Sequence, residues 1–177
     1  MTHKNFVCSD HHLGHGNILT FTHDDKPLRP FDSLEEMHEV MIQRHNHVVR
    51  PMDRVYFLGD VVINRKYLYL LSRFNGRKVL VRGNHDICKL KEYAEYFEDV
   101  RGVAVKPRVA VLTHVPIHPD SFRESWPLNV HGHLHANTVK VSGSHYRIED
   151  KRYVNVSMEQ INYTPVDLDD IVARGKP

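Results

Sequence analysis

Five short stretches of the chain carry residues that can ligate metals or move protons. They are Asp10-His11-His12, Gly59-Asp60, Gly83-Asn84-His85-Asp86, Thr113-His114 and His131-Gly132-His133-Leu134-His135. Fifteen histidines stand against one tryptophan. Nearly half of them sit in short clusters beside Asp, Asn and Gly, a composition that points to metal. Mixed imidazole, carboxylate and amide-oxygen donors suit borderline first-row ions better than Ca²⁺ or a thiolate zinc site. If the backbone stays extended after the first strand, Asp10 and His12 point the same way and His11 the opposite way, which makes a bidentate clamp. Taken alone, that stretch fits a polar turn at Gly14 and Gly16 equally well. At the third stretch, Gly83 allows close approach of the backbone. Asn84 then brings a carbonyl ligand and His85 a titratable ring.

These residues need elements that end where they begin. Asn5–Ser9, Arg54–Leu58 and Lys78–Val81 are apolar, β-branched runs and read as buried strands. Ser33-Leu-Glu-Glu36 is a capping box that opens a helix to about Val49, with Leu34, Met37, Val40, Met41 and Val48 as its apolar stripe. His38, His45 and His47 lie off that stripe and read as surface. Phe21–Phe31, with Pro27 and Pro30, reads as a loop. A short helix over Tyr67–Phe74 is stopped by Asn75-Gly76. Leu90–Phe97 reads as helical, its Tyr93, Tyr96 and Phe97 being core. Val103–Val105 and Val109–Leu112 meet at a Lys106-Pro107 turn. A proline-bearing loop anchored by Trp126 leads through Leu128–Val130 to the last histidine run. Strand-like Val139–Val141, Tyr146–Ile148 and Tyr153–Val156 follow, then a tail helix from Asp167 to Ala173. The order β-α-β-α-β and then mostly strands implies an α/β protein with helices outside a sheet or a pair of sheets. In such sheets ligands bind at the carboxyl ends of strands, where the five stretches fall.

At 177 residues, with 41% apolar and 26% charged residues, the chain is expected to form a single domain, residues 1–177, with a proper core. A net charge of +2 admits an anionic substrate, but the scattered Lys and Arg argue against a nucleic-acid-coating surface. No run is apolar enough to cross a bilayer, and the opening Met1-Thr-His-Lys-Asn5 has no signal-peptide pattern. Two cysteines, Cys8 and Cys88, are too few for a disulfide scaffold, so the expected setting is the reducing cytoplasm. The sequence leaves the oligomeric state open.

In order and spacing, the five stretches resemble the calcineurin-like metallophosphoesterases. The opening Ser9-Asp-His-His-Leu-Gly-His15-Gly-Asn-Ile18 is similar to that of small bacterial and phage-type members. The resemblance implies an αββα sandwich of two packed mixed sheets flanked by helices. It implies two divalent transition-metal ions (Mn, Fe, Ni or Zn, with Mn favoured). One would be held by Asp10, His12 and His135, the other by Asn84, His114 and His133, with Asp60 bridging. Two such ions about 3.5–4 Å apart acidify a bridging water and clamp phosphoryl oxygens for in-line attack. His85 would stand off the metals as general acid for the leaving group. His15, Asn17 and Asn84 are candidates to touch the substrate phosphate, though His15 and Asn17 fit equally well as residues that set the loop. His118 reads as solvated or behind the ligands, His131 as packed into the sheet, and His3, His23 and His145 as surface.

One departure is informative. Protein Ser/Thr phosphatases of the superfamily carry Gly-Asp-x-Val-Asp-Arg-Gly, and its second Asp orients the catalytic His. Here Gly59-Asp-Val-Val-Ile63-Asn64-Arg65 places Ile63 at that position, which disfavours a protein phosphatase. Asp86 remains as a candidate for orienting His85. The expected function is therefore hydrolysis of a small phosphorylated molecule, a nucleotide or cyclic nucleotide among the candidates. The alternatives are a nuclease, against which the weak charge argues, and a non-catalytic scaffold, against which the intact ligand set argues. The His-Gly-His-Leu-His run is superficially similar to that of metallo-β-lactamases, but they have an Asp before the final His and lack Gly-Asn-His.

Overall fold

Strands that are apolar on both faces must be covered on both. In β1 (Asn5–Cys8), Phe6 and Cys8 face one way and Val7 the other. The computed structural model describes residues 3–141 and 148–174. After β1 come a two-stranded ribbon of β2 (Thr22–His23) and β3 (Lys26–Pro27), helix α1 (Leu34–Val48) and β4 (Arg54–Phe57). A 3-10 helix over Arg65–Arg73 precedes β5 (Arg77–Val81), α2 (Leu90–Tyr93) and β6 (Asp99–Arg101). The remainder is β7 (Ala104–Lys106), β8 (Ala110–Leu112), β9 (Leu128–His131), β10 (Tyr153–Asn155), β11 (Val166–Asp167) and α3 (Leu168–Arg174).

The first sheet runs β11-β1-β4-β5-β6 and the second β10-β9-β8-β7. Each is parallel except for one antiparallel edge strand, β11 in the first and β7 in the second. Val7, Tyr56, Leu58, Val79 and Val81 of the first sheet pack against Ala110, Leu112, Leu128 and Val130 of the second. The opposite face of the first sheet (Phe6, Cys8, Val55, Phe57, Leu80) packs against Met37, Met41, Leu71, Phe74, Tyr93 and Phe97 from the helices. This is the expected stack of mixed sheets with outer helices. On the second sheet's outer side, the loop after β8 lies over the strands: Tyr153 donates its hydroxyl to Ile117 O (2.7 Å), and Phe122 sits edge-on to Tyr153. Trp126 anchors that loop by donating Nε1–H to Ser121 O at 3.0 Å.

Several local expectations need correction. His38 and His45 are not surface residues; both are buried, and only His47 of the three is exposed. Neighbouring loops widen the buried arc of α1 beyond its apolar stripe. Gly14 N–H donates to His38 Nε2 (3.1 Å), and His45 Nε2 lies 2.9 Å from Asn75 O among Phe57 and Phe74. The helix after β4 is 3-10, capped by the Asn64 side chain accepting from Lys66 N. Phe21–Phe31 contains the β2–β3 ribbon. Among the described residues, Val139–Val141 is an isolated Lys140–Glu149 bridge, with Val141 N–H donating to Ile148 O and Asp150 N–H to Val139 O. His145 and most of the expected strand at 146–148 lie outside the described residues. Edge strands β6 and β11 were not foreseen, being short and partly polar. Cys8 and Cys88 are buried and free. Among the described residues no helix is long and apolar enough to cross a membrane.

Candidate metal centre

Because β1, β4, β5, β8 and β9 run the same way within their sheets, their carboxyl ends open at one rim, and the loops there zip together. Asp10 N–H donates to Gly59 O, His12 N–H to Asp60 O and Gly132 N–H to His114 O, at 2.9–3.0 Å. The approach is close enough to demand glycine at two points. A Cβ on Gly83 would stand 2.2 Å from Asp60 Oδ1, and one on Gly132 would stand 1.9 Å from Ser9 Oγ and 2.3 Å from Asp10 Oδ2.

Asp10 and His12 do face one cluster, but not by strand alternation. Both have left-handed backbones, as do Asp60, His133 and His135, with φ between 50° and 69°. Non-glycine residues in that region cost about 1–2 kcal/mol each, a strain that accumulates where function constrains the chain.

The first candidate triad is Asp10, His12 and His135. Asp10 Oδ2 accepts from His133 N–H (2.9 Å) and Ser157 Oγ–H (3.0 Å). Its other oxygen, Oδ1, is buried with no hydrogen-bond partner among the described residues, and so is His12 Nε2. The two orphaned atoms face each other at 3.8 Å, too far to bond, and His135 Nε2 is 3.9 Å from the same Oδ1. His12 Nδ1 lies 3.1 Å from His15 Nδ1, so His15 bears on the far nitrogen of a candidate ligand.

The second triad is Asp60, His114 and His133. His114 Nδ1 lies 2.8 Å from Leu58 O, which fixes the ring proton on Nδ1. Its bare Nε2 then meets Asn84 Oδ1 at 3.0 Å, His133 Nδ1 at 3.2 Å and Asp60 Oδ2 at 3.3 Å. Asp60 Oδ2 is also 3.9 Å from His12 Nε2, so one carboxylate oxygen looks at both triads, while Oδ1 accepts from His85 N–H (2.8 Å).

This donor set fits divalent cations. Burial alone would push both carboxyls up, yet His12 and His114 beside Asp10, and His114 beside Asp60, hold them below the usual carboxylate range. Burial pushes the His12 and His133 imidazoles down, whereas Asp60 outweighs burial and raises His114, and Glu159 does the same for His135. The carboxylates are held in their charged form, and lone pairs converge on each triad with Asp10 Oδ1 and His12 Nε2 left unbonded.

His85 is exposed at the rim, its ring 6.1 Å from that of His12, and among the described residues no hydrogen bond reaches that ring. Asp86 does not orient it. The Asp86 carboxylate is buried and accepts from Asp60 N–H (2.8 Å), Val61 N–H (3.1 Å) and Gly83 N–H (2.8 Å), which binds two ligand loops together. Asn17 is exposed outside this hydrogen-bond network, and His118 is exposed beside Asp120. His131 is buried in the sheet packing as expected. Arg65 pairs with Glu92. Three residues were missed: Ser157, Arg29 and Glu159. Arg29 is fully buried, donating to the carbonyls of Asp10 and His11 and to Glu159, whose Oε1 lies 3.1 Å from His135 Nδ1. None of the three stands in a ligand-type cluster, and Ser157 and Glu159 lie beyond the last motif.

A family model described as calcineurin-like phosphoesterase matches residues 4–173. The chain is 38% identical over 179 residues to the uncharacterized protein MJ1445 of Methanocaldococcus jannaschii, covering 96% of this chain and 89% of that one. The crystal structure of the protein of unknown function AQ665 from Aquifex aeolicus is similar at a TM-score of 0.70 and 28% identity, covering 96% of this chain and 98% of that one. The match along nearly all of the chain makes it a member of the calcineurin-like phosphoesterases, a family of metal-dependent hydrolases.

Proposed function

We propose that the protein hydrolyses a phosphodiester or phosphomonoester bond of a small phosphorylated molecule, with nucleotides and cyclic nucleotides as the favoured class. It would do so with two divalent first-row ions, manganese favoured over iron, nickel and zinc. The observation that carries this reading is the position of Asp60, whose Oδ2 faces His114 Nε2 at 3.3 Å on one side and His12 Nε2 at 3.9 Å on the other. Asp10, His12 and His135 would hold one ion and Asn84, His114 and His133 the other, with Asp60 shared. When bound, such a pair of ions supplies an acidified water and neutralises charge developing on the phosphoryl oxygens.

The chain's own groups do the remainder. The Asn84 amide can offer its oxygen to an ion and its NH₂ to a phosphoryl oxygen. His85, tethered through its backbone N–H to Asp60, presents an exposed ring that can hold a proton for the departing oxygen. The half-buried His15 supports His12 from behind. Asn17 remains a candidate for the substrate side only.

The test is to strip the protein with chelator, reload it with each ion in turn, and assay bis-nitrophenyl phosphate, nucleoside monophosphates, cyclic nucleotides and supercoiled DNA. Metal-dependent turnover of small esters, with DNA cleaved far more slowly, is expected. Turnover indifferent to metal, or DNA cut at the rate of small diesters, would overturn the proposal.

A further inference from the structure

Arg29 has no exposed surface, although its charge is costly to bury unless every arm of the guanidinium is engaged. Here it is engaged. Nη1–H donates to His11 O (2.8 Å), Nη2–H to Asp10 O, and Nε–H to Glu159 Oε1 (2.7 Å). The same Oε1 lies 3.1 Å from Nδ1 of His135, and Glu159 Oε2 has no hydrogen-bond partner among the described residues. One buried ion pair thus grips two ligand candidates of the same triad, Asp10 through its backbone and His135 through its ring.

The grip on Asp10 falls on a residue with φ 59°, a strained backbone that needs outside bonds to persist. The grip on His135 sets its tautomer: a proton on Nδ1 shared with Glu159 leaves Nε2 as a lone pair on the side of Asp10 Oδ1. Buried ion pairs add little net stability over apolar packing of the same volume, so the specific consequence of this one is geometric. The second triad is held differently: the Asp86 carboxylate accepts from Asp60 N–H, and among the described residues His114 Nδ1 meets only a backbone carbonyl, with no ion pair joining those two supports.

We propose that Arg29 and Glu159 are positioning residues that lock the Asp10–His12–His135 half of the metal centre and leave the Asp60–His114–His133 half alone. The proposal rests on the two-ion reading above.

The test is calorimetric titration of the full-length, metal-stripped protein with Mn²⁺, and Co²⁺ absorption to report coordination. Wild type should take up two ions. Glu159→Met should weaken one of them about 10–100-fold and leave the other within about twofold. Glu159→Gln, which keeps an oxygen for His135, should fall between. Removing both charges in Arg29→Met/Glu159→Met strands no buried ion, so without metal that protein should melt above Glu159→Met, although the Asp10 and His11 carbonyls lose their donor, and it should still show the one-site loss. Retention of both affinities, equal weakening of both, or loss that tracks the melting temperature would overturn the positioning role while the two-ion reading stands. A wild-type chain that binds fewer than two ions would defeat that reading, and the lock with it.

Discussion

Replacing Gly83 with Ala adds one methyl group where two strand ends nearly touch. Its Cβ would lie 2.2 Å from Asp60 Oδ1, 2.6 Å from Asp60 N and 3.0 Å from Asp60 Cγ. Ordinary contact is about 3.5–4 Å, so Asp60 or the Gly83 strand end must withdraw by roughly 1 Å. Gly83 is not among the glycines with positive φ, so the change brings no left-handed strain, only the collision. Overpacking of this kind costs about 1–3 kcal/mol, which for a chain of this size lowers the melting temperature by roughly 2–12 °C. The protein should therefore remain folded at assay temperature. The Asp60 carboxylate would be displaced, and a misplacement of about 1 Å lowers turnover on the order of 10²-fold. Gly102→Ala, with nothing within 4 Å of its Cβ, is the matched control and should behave as wild type. Bis-nitrophenyl phosphate hydrolysis and bound metal per chain are the measurements. A Gly83→Ala protein with two ions and near wild-type turnover would refute the claim that the position of Asp60 governs the site.

Three other outcomes are expected. Asp60→Ala should lose metal and turnover together, because one oxygen looks at both triads; an active variant with two bound ions would sink the bridging role. His85→Asn should keep its metals and lose about 10²–10⁴-fold, most on substrates with poor leaving groups, whereas an equal loss on nitrophenyl esters would rule out proton donation. Burial holds His45 down to about 4 from its usual 6.5, so between those values the unfolded chain binds the extra proton. Stability from this residue is complete above the unfolded value and lost as pH falls toward the folded one, roughly 3 kcal/mol in all. His45→Leu should be less stable at neutral pH, through the lost bond to Asn75 O, but flatter between pH 6.5 and 4 in urea denaturation. An unchanged acid slope would count against it.

The parts of this protein legible from sequence are those that local chemistry dictates. The apolar runs that became β1, β4 and β5, the capped helix α1, and the glycines and candidate ligand residues at strand ends could be read directly. A strand's periodicity and a ligand's donor atoms belong to neighbouring residues. Errors arose where the deciding partner was distant: His38 and His45 were buried by Gly14 and Asn75, and Asp86 was claimed by the amides of Asp60, Val61 and Gly83.

The sequence alone determined the inventory of candidate ligands and the elements that end beside them, because donor type and hydrophobic period are local properties. Only the tertiary structure decided that Asp10 and His12 converge through left-handed backbones instead of strand alternation. It alone brought Arg29 and Glu159, 130 positions apart, together behind His135. Burial and close approach between remote segments leave no periodic trace in a chain, since they exist only once the loops have packed.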